Sequence, residues 1–292
     1  MNQFGNNARA ARPDLNDSLE TALALRAKGR LQEALAALSV PGEFSVDFYI
    51  LRGDLQLELG RLQEAADSYA IAIAEEPGQI YAQGQLGVCQ QRLEKWDAAA
   101  QTFEAVLQFD PHRDEVRLNL ADCLLHLQRF GAALECFDKC SWQASRRRVL
   151  FGKAVALQFL RRFDEAENHY ERLLAIDPHS EEALSNMIAM AMEVFELRRV
   201  QKYSQRLLEL NPRSAVACKG LALCAIERRD YPAASRYYQQ VEELEPGITI
   251  PPAESADVVE YRISRKVIDS LEEARQKQKS RAARAASGPL PR

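Results

Sequence analysis

Two cysteines and four histidines are the side chains of this sequence that could most readily hold a metal ion or carry redox chemistry. Cys136 and Cys140 lie four residues apart. On a helix this spacing brings both side chains to one face, where they could share a ligand or form a redox pair. The histidines lie singly, at His112, His126, His169 and His179. No two of them approach metal-ligand spacing with an acidic or cysteine partner, so we predict no metal site and no cofactor.

Catalytic and nucleotide-binding motifs leave a recognisable spacing in a sequence, and none is found in this one. There is no GxGxxG, GxxxxGK(S/T), HExxH or GxSxG motif. The single Gly152-Lys153 pair lacks the earlier glycine of a phosphate-binding loop and lies inside a predicted helix. Asp and Glu are scattered without the paired geometry of acid–base catalysis. We therefore predict that the protein is not an enzyme.

The composition favours helices over sheets. Of the 292 residues, 47% are apolar and only 8% aromatic, while Ala, Leu, Glu, Gln and Arg are frequent. The formal net charge of −4 gives no overall field that would attract nucleic acid or an anionic membrane. The charge is uneven, because residues 262–292 carry nine Lys and Arg against three Asp and Glu. An acidic body therefore carries a basic tail.

Residues 1–14 are rich in Asn, Ala and Arg and lack the apolar core of a signal peptide. No stretch approaches 18 consecutive apolar residues, so we expect no membrane insertion. The six cysteines lie at irregular intervals within helical patterns, as in reduced intracellular proteins. The sequence therefore predicts a cytoplasmic protein.

A period of about 34 residues runs through the chain. Five prolines mark it, each after an acidic residue or Asn: Pro77, Pro111, Pro178, Pro212 and Pro246. Their separations are 34, 67, 34 and 34 residues. The longest is two periods with one residue lost, so a further unit must lie between the second and third prolines. We predict seven units, which begin near Leu15, Val46, Ile80, Asp114, Arg147, Glu181 and Ala215.

Each unit has two apolar helical stripes, with small residues at fixed places. The eighth place, in the first helix, holds Gly53, Gly87, Ala121, Ala154 and Ala222. The twentieth, in the second helix, holds Ala34, Ala65, Ala99, Ala133, Ala166 and Ala234. Four places later stands an aromatic residue: Tyr69, Phe103, Phe137, Tyr170 and Tyr238. Helices cross closely only where one ridge lacks bulk, and the aromatic ring fills the wedge beside the crossing, so each pair should stack on the next.

With these places and the closing prolines, the sequence resembles the tetratricopeptide repeat family over roughly residues 15–247. Unit two shows the pattern most clearly, in Tyr49, Gly53, Gly60, Ala65, Tyr69, Ala72 and Pro77. The resemblance implies an all-α fold, a right-handed α-solenoid of about seven antiparallel helix pairs with a C-terminal capping helix. Unit one departs in Leu38, and unit four lacks its closing proline. Unit six departs at all three signature places, in Ile188, Val200 and Ser204.

We predict a disordered segment at residues 1–14 and a solenoid at 15–247, with units near 15–45, 46–79, 80–113, 114–146, 147–180, 181–214 and 215–247. A linker at 248–253, a capping helix with a basic end at 254–286 and a disordered tail at 287–292 follow. Val259, Ile263, Val267 and Leu271 form an apolar stripe suited to covering the last unit. The sharper alternative, that the basic end competes with a partner for the groove, is less favoured than a cap with a solubilising tail.

The repeat also bears on the cysteines. Cys89, Cys123 and Cys224 all occupy the tenth place of their units, and Cys140 falls at a twenty-seventh place expected to be buried. Recurrence at one packing position is typical of a small apolar core side chain. We therefore interpret these cysteines as core residues.

The resemblance further implies that the first helices line a concave groove, with places 2, 5, 9, 12 and 13 of each unit pointing into it. In units two to seven these places are about half apolar, and eight acidic side chains stand there against Arg92, Arg148 and Lys219. The candidate partner-binding residues are Leu57, Val88, Leu118, Asp122, Leu125, Arg148, Phe151, Val155, Phe159, Met192, Leu223 and Ile226. Part of the apolar set, notably Leu57, Val155 and Leu223, is expected to pack between first helices instead.

A groove of this composition suits an amphipathic segment with basic flanks. We predict a non-catalytic scaffold or adaptor that binds a peptide or helix of a partner protein, with its oligomeric state left open. A bacterial secretion or assembly chaperone and the regulatory half of an enzyme complex are alternatives. An RNA-binding helical repeat protein is less favoured, because the groove is acidic and no nucleic acid is expected.

Two specific ligands can be assessed from the same places. The clamp of Lys and Asn by which some tetratricopeptide repeat modules hold a chaperone C-terminus is absent, since Gly84 and Val88 stand at the required places in one unit. Phe151 and Val155 stand there in another. The run 146–148, three arginines, could hold an anion at a helix N-terminus, although a solvated linker is favoured.

Overall fold

A computed structural model describes residues 15–38, 45–141 and 145–245. Within these ranges the regular structure is entirely α-helical. The helices are α1 (Leu15–Ala27), α2 (Leu31–Ala37), α3 (Val46–Glu58), α4 (Leu62–Glu75), α5 (Ile80–Arg92), α6 (Trp96–Phe109), α7 (Asp114–His126), α8 (Phe130–Asp138), α9 (Arg146–Phe159), α10 (Phe163–Ile176), α11 (Glu181–Glu193), α12 (Leu197–Leu210), α13 (Ala215–Glu227) and α14 (Tyr231–Leu244). The predicted segments at 1–14 and 248–292 lie outside the described residues.

The helices belong to two compact units. The N-unit, residues 1–144, contains α1–α8, and the C-unit, residues 145–292, contains α9–α14. Within each unit every helix packs against the next one along the chain. The first helices of neighbouring pairs also touch. Helix α5 contacts α7, and α11 contacts α13. Each unit is thus a stack of helix pairs, and the predicted α-solenoid fold is confirmed.

The turn inside each helix pair places one residue in the left-handed region. These residues, with φ between 57° and 75°, are Gly29, Gly60, Glu94, Gln128, Arg161, Phe195 and Arg229. In the α3–α4 turn the amide of Arg61 donates to the carbonyl of Gln56 at 2.8 Å, which closes α3 in a Schellman motif. Because only two of the seven are glycine, five side chains bear the steric cost of this conformation, about 1 kcal/mol each.

Small residues lie where the two helices of a pair cross. Four fully buried alanines stand at the fourth residue of α4, α6, α8 and α10: Ala65, Ala99, Ala133 and Ala166. In the first helices, a Cβ added at Gly53 would lie 2.8 Å from Cε1 of Tyr69. One added at Gly87 would lie 2.5 Å from Cε1 of Phe103. The backbone of α3 and of α5 therefore lies directly against the aromatic ring of its partner helix.

In the sixth pair, α11–α12, the bulky residue lies in the first helix and the small residue in the second, which is the reverse of the other pairs. Ile188 stands in the first helix and Ser204 in the second, and both are fully buried. A Cβ added at Gly220, in the next helix α13, would overlap Oγ of Ser204 and lie 3.1 Å from Cγ1 of Val200. The backbone of α13 therefore fills the space that an aromatic ring fills elsewhere, and one glycine compensates the departure of unit six.

Hydrogen bonds from side chains fix where several first helices begin. Oγ of Ser180 accepts from the amide of Ala183 at 3.4 Å, and Oγ of Ser214 accepts from the amide of Ala217 at 3.3 Å. Both serines are N-caps, which satisfy an amide that has no partner inside the helix. The start of α11 and of α13 is thus fixed by one serine each.

Candidate partner-binding surface

The candidate surface of the N-unit, here called the N-face, comprises places 2, 5, 9, 12 and 13 of α3, α5 and α7. Its residues are Asp47, Ile50, Asp54, Leu57, Glu58, Tyr81, Gly84, Val88, Gln91, Arg92, Glu115, Leu118, Asp122, Leu125 and His126. Of the predicted contact residues, four are half-buried: Leu57, Val88, Asp122 and Leu125. Leu118 is fully buried, because α6 and α8 both pack against α7. It is a core residue, and its place among the predicted contact residues is wrong.

A polar network on the N-face is centred on Asp54, which is 9% exposed. Its Oδ1 accepts hydrogen bonds from the hydroxyls of Tyr69 at 2.6 Å and Tyr81 at 3.0 Å. Its Oδ2 accepts from Nη1 of Arg26 at 3.2 Å, and Nε of the same guanidinium donates to Oε1 of Glu58 at 2.9 Å. The network therefore joins α1, α3, α4 and α5 and supplies the nearly buried carboxylate with three donors.

The two phenols of this network are held neutral. Burial first, and then the charge of Asp54, raises the pKa of Tyr81 to about 12. Burial and the hydrogen bond to Asp54 raise the pKa of Tyr69 still further above its ordinary value. Both hydroxyls therefore stay protonated hydrogen-bond donors further into the alkaline range than an ordinary tyrosine does.

Arg26 also changes the charge predicted for this surface. It lies in the first unit, outside units two to seven, and it pairs with two acidic residues of the N-face, Asp54 and Glu58. Their negative charge is thus partly neutralised within the protein. The sequence does indicate this pairing, because Arg26 stands at the twelfth place of unit one. That place faces the first helix of unit two.

The lone histidine of the N-face is an aromatic packing partner. His126 stacks on Trp96, with ring centroids 3.8 Å apart and planes 3° from parallel. Trp96 is the first residue of α6, so the stack joins two consecutive helix pairs along one edge of the face. Among the described residues, no three His, Cys, Asp or Glu side chains are grouped to hold a metal ion.

The candidate surface of the C-unit, the C-face, comprises the same places of α9, α11 and α13. Its residues are Arg148, Phe151, Val155, Gln158, Phe159, Glu182, Ser185, Ala189, Met192, Glu193, Val216, Lys219, Leu223, Ile226 and Glu227. Five predicted contact residues are half-buried: Arg148, Phe151, Val155, Met192 and Leu223. Ile226 is buried in a core cluster with Ala225 and Ala234. It too is a core residue rather than a contact residue, because α14 packs over this part of α13.

Three apolar side chains lie on successive turns of α9. Phe151 and Val155 are half-buried, whereas Phe159 is 59% exposed. The ring of Phe151 packs edge-on against Tyr170, with centroids 6.1 Å apart. The residues span about 12 Å of helix. The three residues, here called the α9 ridge, thus run from the packed ring of Phe151 to the exposed side chain of Phe159.

Ion pairs on the C-face are exposed. Nη1 of Arg161 lies 2.5 Å from Oε1 of Glu193, and the two side chains are 48% and 44% exposed. Nζ of Lys219 lies 2.6 Å from Oε2 of Glu245. Exposed pairs of this kind contribute little to stability and exchange partners at small cost. An incoming charged group can therefore take either partner.

The arginines at the start of α9 are engaged locally. Nε of Arg147 lies 2.8 Å from Oδ2 of Asp177, which is the C-cap of α10. Ser145, the N-cap of α9, makes no side-chain capping bond. The anion site considered for residues 146–148 stays a prediction.

The six cysteines are free thiols. Four are buried: Cys89, Cys123, Cys218 and Cys224. Burial raises the pKa of the Cys89 thiol to about 11 and that of Cys123 to about 12. Sγ of Cys140 donates to the backbone carbonyl of Cys136 at 3.4 Å instead of meeting the other sulfur. Thiols held protonated in this way lack the thiolate that nucleophilic or metal-binding cysteines need.

None of the described helices is long and apolar enough to cross a lipid bilayer.

No curated protein sequence matches the chain. Three family models, each described as tetratricopeptide repeat, match residues 19–80, 92–140 and 148–180. These segments carry the small and aromatic places described above in both units.

Solved structures share the fold. The C-terminal part of a TPR repeat-containing protein from Cytophaga hutchinsonii superposes with a TM-score of 0.64 at 15% identity, covering 82% of this chain and 98% of that one. A tetratricopeptide repeat protein from Parabacteroides merdae gives a TM-score of 0.59 at 16% identity, covering 87% and 98%. PilF of Pseudomonas aeruginosa gives 0.57 at 20%, covering 69% and 92%. Because the repeat pattern, the helix pairing and the family models agree, the chain belongs to the tetratricopeptide repeat family.

Proposed function

We propose that the protein is a non-catalytic scaffold that binds a peptide or amphipathic helix of a partner protein on the first helices of its units. Members of this family generally mediate interactions between proteins without catalysis. The observation that carries the proposal for this chain is the α9 ridge, and above all the exposure of Phe159. A large apolar ring that is 59% exposed beside two further apolar side chains gains most when a partner covers it.

The partner that fits this surface has apolar side chains one helical turn apart and basic groups at its flanks. The apolar side chains would lie along Phe151, Val155 and Phe159 and provide affinity. The basic groups would meet acidic residues of the same unit, Glu182 and Glu193, which are both exposed. Charges at the rim fix register and speed association more than they add affinity.

The N-face contributes differently within this proposal. Its acidic residues Asp54 and Glu58 are already paired with Arg26, so we place the main apolar contact on the C-face. An acidic N-face also disfavours RNA as the ligand, since affinity for phosphates comes from unpaired Lys and Arg. We place the protein in the cytoplasm, because its cysteines are free thiols.

The experiment that tests the proposal compares two exposed phenylalanines. The tagged full chain captures its partner from cell extract, the partner is identified, and its Kd is measured with purified proteins. Phe159→Ser should weaken binding at least tenfold, because the most exposed ring of the α9 ridge is removed. Phe109→Ser is the matched control, since Phe109 is 66% exposed but lies at the end of α6 in the N-unit.

Both substitutions alter exposed side chains, so both variants should unfold at the same temperature as the wild type. Equal Kd values for wild type and Phe159→Ser would show that the partner does not use the α9 ridge. Equal losses for the two variants would show that any exposed aromatic ring serves, and would also contradict the proposal.

A further inference from the structure

The C-terminal segment of this chain, residues 255–284, has the chemistry of the partner that the C-face fits. Val259, Ile263, Val267 and Leu271 recur every four residues and form one apolar stripe. Five Lys and Arg with no acidic residue follow within 275–284: Arg275, Lys277, Lys279, Arg281 and Arg284. The segment lies outside the described residues, and these features are features of its sequence.

The C-face offers the complementary features. The α9 ridge provides apolar area that is most open at Phe159. Glu182 and Glu193 provide exposed negative charge on α11, the neighbouring first helix. Glu193 is paired with Arg161 in an exposed ion pair, which an incoming Lys or Arg can replace at small cost.

The chain is long enough to bring the segment to this surface. Nine residues lie between Glu245, the last described residue, and Ser255, and the ten extended steps from one to the other reach about 33 Å. The C-face lies in the same compact unit as Glu245. Its outer helices α9 and α13 both touch α11, so they stand about 20 Å apart at ordinary helix spacing. The whole C-face is therefore within reach.

We propose that residues 255–284 occupy the C-face of their own chain and so compete with the partner protein. This inference rests on the proposed function, because it assigns the same surface to an internal ligand. Tethering supplies the segment at an effective concentration of about 1 mM. A segment that binds with a Kd of about 0.1 mM would then lower the apparent affinity of any competing ligand about tenfold.

The test uses the full chain and a labelled synthetic peptide of residues 255–284 as the competing ligand. Fluorescence anisotropy gives the Kd of this peptide for the wild type and for a tail variant in which Arg275, Lys277, Lys279, Arg281 and Arg284 are all replaced by Gln. The peptide should bind the tail variant about tenfold more tightly, because the internal competitor has lost its charges. Adding Phe159→Ser to the tail variant should abolish most of this gain.

The matched control removes five positive charges elsewhere. It replaces five exposed arginines by Gln: Arg52, Arg172, Arg198, Arg213 and Arg236. Its net charge equals that of the tail variant, so a general charge effect on the basic peptide would appear equally in both. The control should bind the peptide far less tightly than the tail variant does.

Each other outcome overturns the inference in a recognisable way. Equal affinity of wild type and tail variant, with loss on Phe159→Ser, would reject internal competition but keep the proposed function. No effect of Phe159→Ser on peptide binding would reject the C-face as the site of this segment, whereas the proposed function would still be judged by the Kd of the partner protein. A wild type that is dimeric by light scattering, and a tail variant that is monomeric, would show that the segment binds a second copy instead.

Discussion

The N-face and the C-face fill equivalent places of one fold with opposite chemistry. At the ninth place the N-unit has Asp54, whose carboxylate is satisfied by Arg26 and two tyrosines. At the same place the C-unit has Val155, flanked by Phe151 and the exposed Phe159. A polar group in a closed network needs nothing from outside, whereas exposed apolar area becomes more favourable when another surface covers it. The difference teaches that the same places can either join the helices of a unit, as Asp54 does, or leave apolar area exposed, as Phe159 does.

The largest effect is expected where the closed network is opened. Asp54→Ala removes the acceptor of Tyr69 and the partner of Arg26, which should cost about 3 kcal/mol of unfolding free energy. Val155→Ala, at the equivalent place, should cost about 1 kcal/mol or less, because that side chain is only half-buried. Hydrogen exchange of the α3 and α9 amides measures the unfolding free energy that each variant loses. Equal losses would remove the distinction between the two faces.

The N-unit can be probed next through two glycines of one helix. A Cβ at Gly87 meets the ring of Phe103, whereas one at Gly84, on the N-face, meets nothing within 4 Å. Gly87→Ala should therefore destabilise the protein by about 2 kcal/mol. Gly84→Ala should stabilise it by about 0.5–1 kcal/mol, since alanine restricts the unfolded chain and suits a helix. Thermal unfolding followed by circular dichroism shows whether each variant gains or loses stability. A Gly84→Ala variant that loses stability would mean that this part of the N-face is already packed.

The C-unit offers the matching test at Gly220. Gly220→Ala should cost about 1–2 kcal/mol, because the added methyl overlaps Oγ of Ser204. Ser204→Ala should be neutral or stabilising alone, since that buried hydroxyl has no hydrogen-bond partner. In the double variant much of the loss should be recovered, giving a coupling near 1 kcal/mol in a double-mutant cycle. Strictly additive losses would show that Ser204 is not what excludes the methyl group.

The smallest effect on stability is expected from the titration of Tyr81, which donates a hydrogen bond to Asp54. The folded pKa of Tyr81, about 12, lies above that of an unfolded tyrosine, so the unfolded chain loses this proton first as pH rises. Stability should therefore fall between about pH 10 and pH 12. Phenolate absorbance, as the difference between wild type and Tyr81→Phe, reports this titration. Asp54→Asn should lower the pKa only in part, because burial is the larger cause; an unchanged pKa would place the carboxylate outside the network.

Much of the fold follows from the spacing of a few residues. Ala65, Ala99 and Ala133 recur with the period, and their burial follows from the close crossings that this period requires. The left-handed residues were not predictable, because Glu94 and Gln128 carry no glycine signal and take that conformation only to close the helix before them. Helix pairing thus follows from the repeated residue types, whereas the left-handed residues follow from the hydrogen bonds that close each first helix.

The surface was less predictable than the fold. Leu118 and Ile226 are buried although their places suggested contact, because burial depends on the neighbouring pair and not on the place alone. Arg26 was missed for the same reason, since its partners lie 28 and 32 residues further along the chain. The choice of Phe159 and its neighbours as contact residues remains a prediction, which the partner experiment tests.

Gly220 also limits how this protein could be rebuilt. Repeat proteins are often lengthened or shortened by whole modules, on the assumption that any repeat can follow any other. Removing residues 181–214 would set Gly220 after unit five, where Ala166 and the bulky Tyr170 stand in place of Val200 and Ser204. Gly220 would then face the ring of Tyr170 in place of the small Ser204, so the close approach of α13 to the preceding helix would be lost. Units six and seven are therefore best duplicated, deleted or transplanted as a single 64-residue cassette running from Glu181 to Leu244.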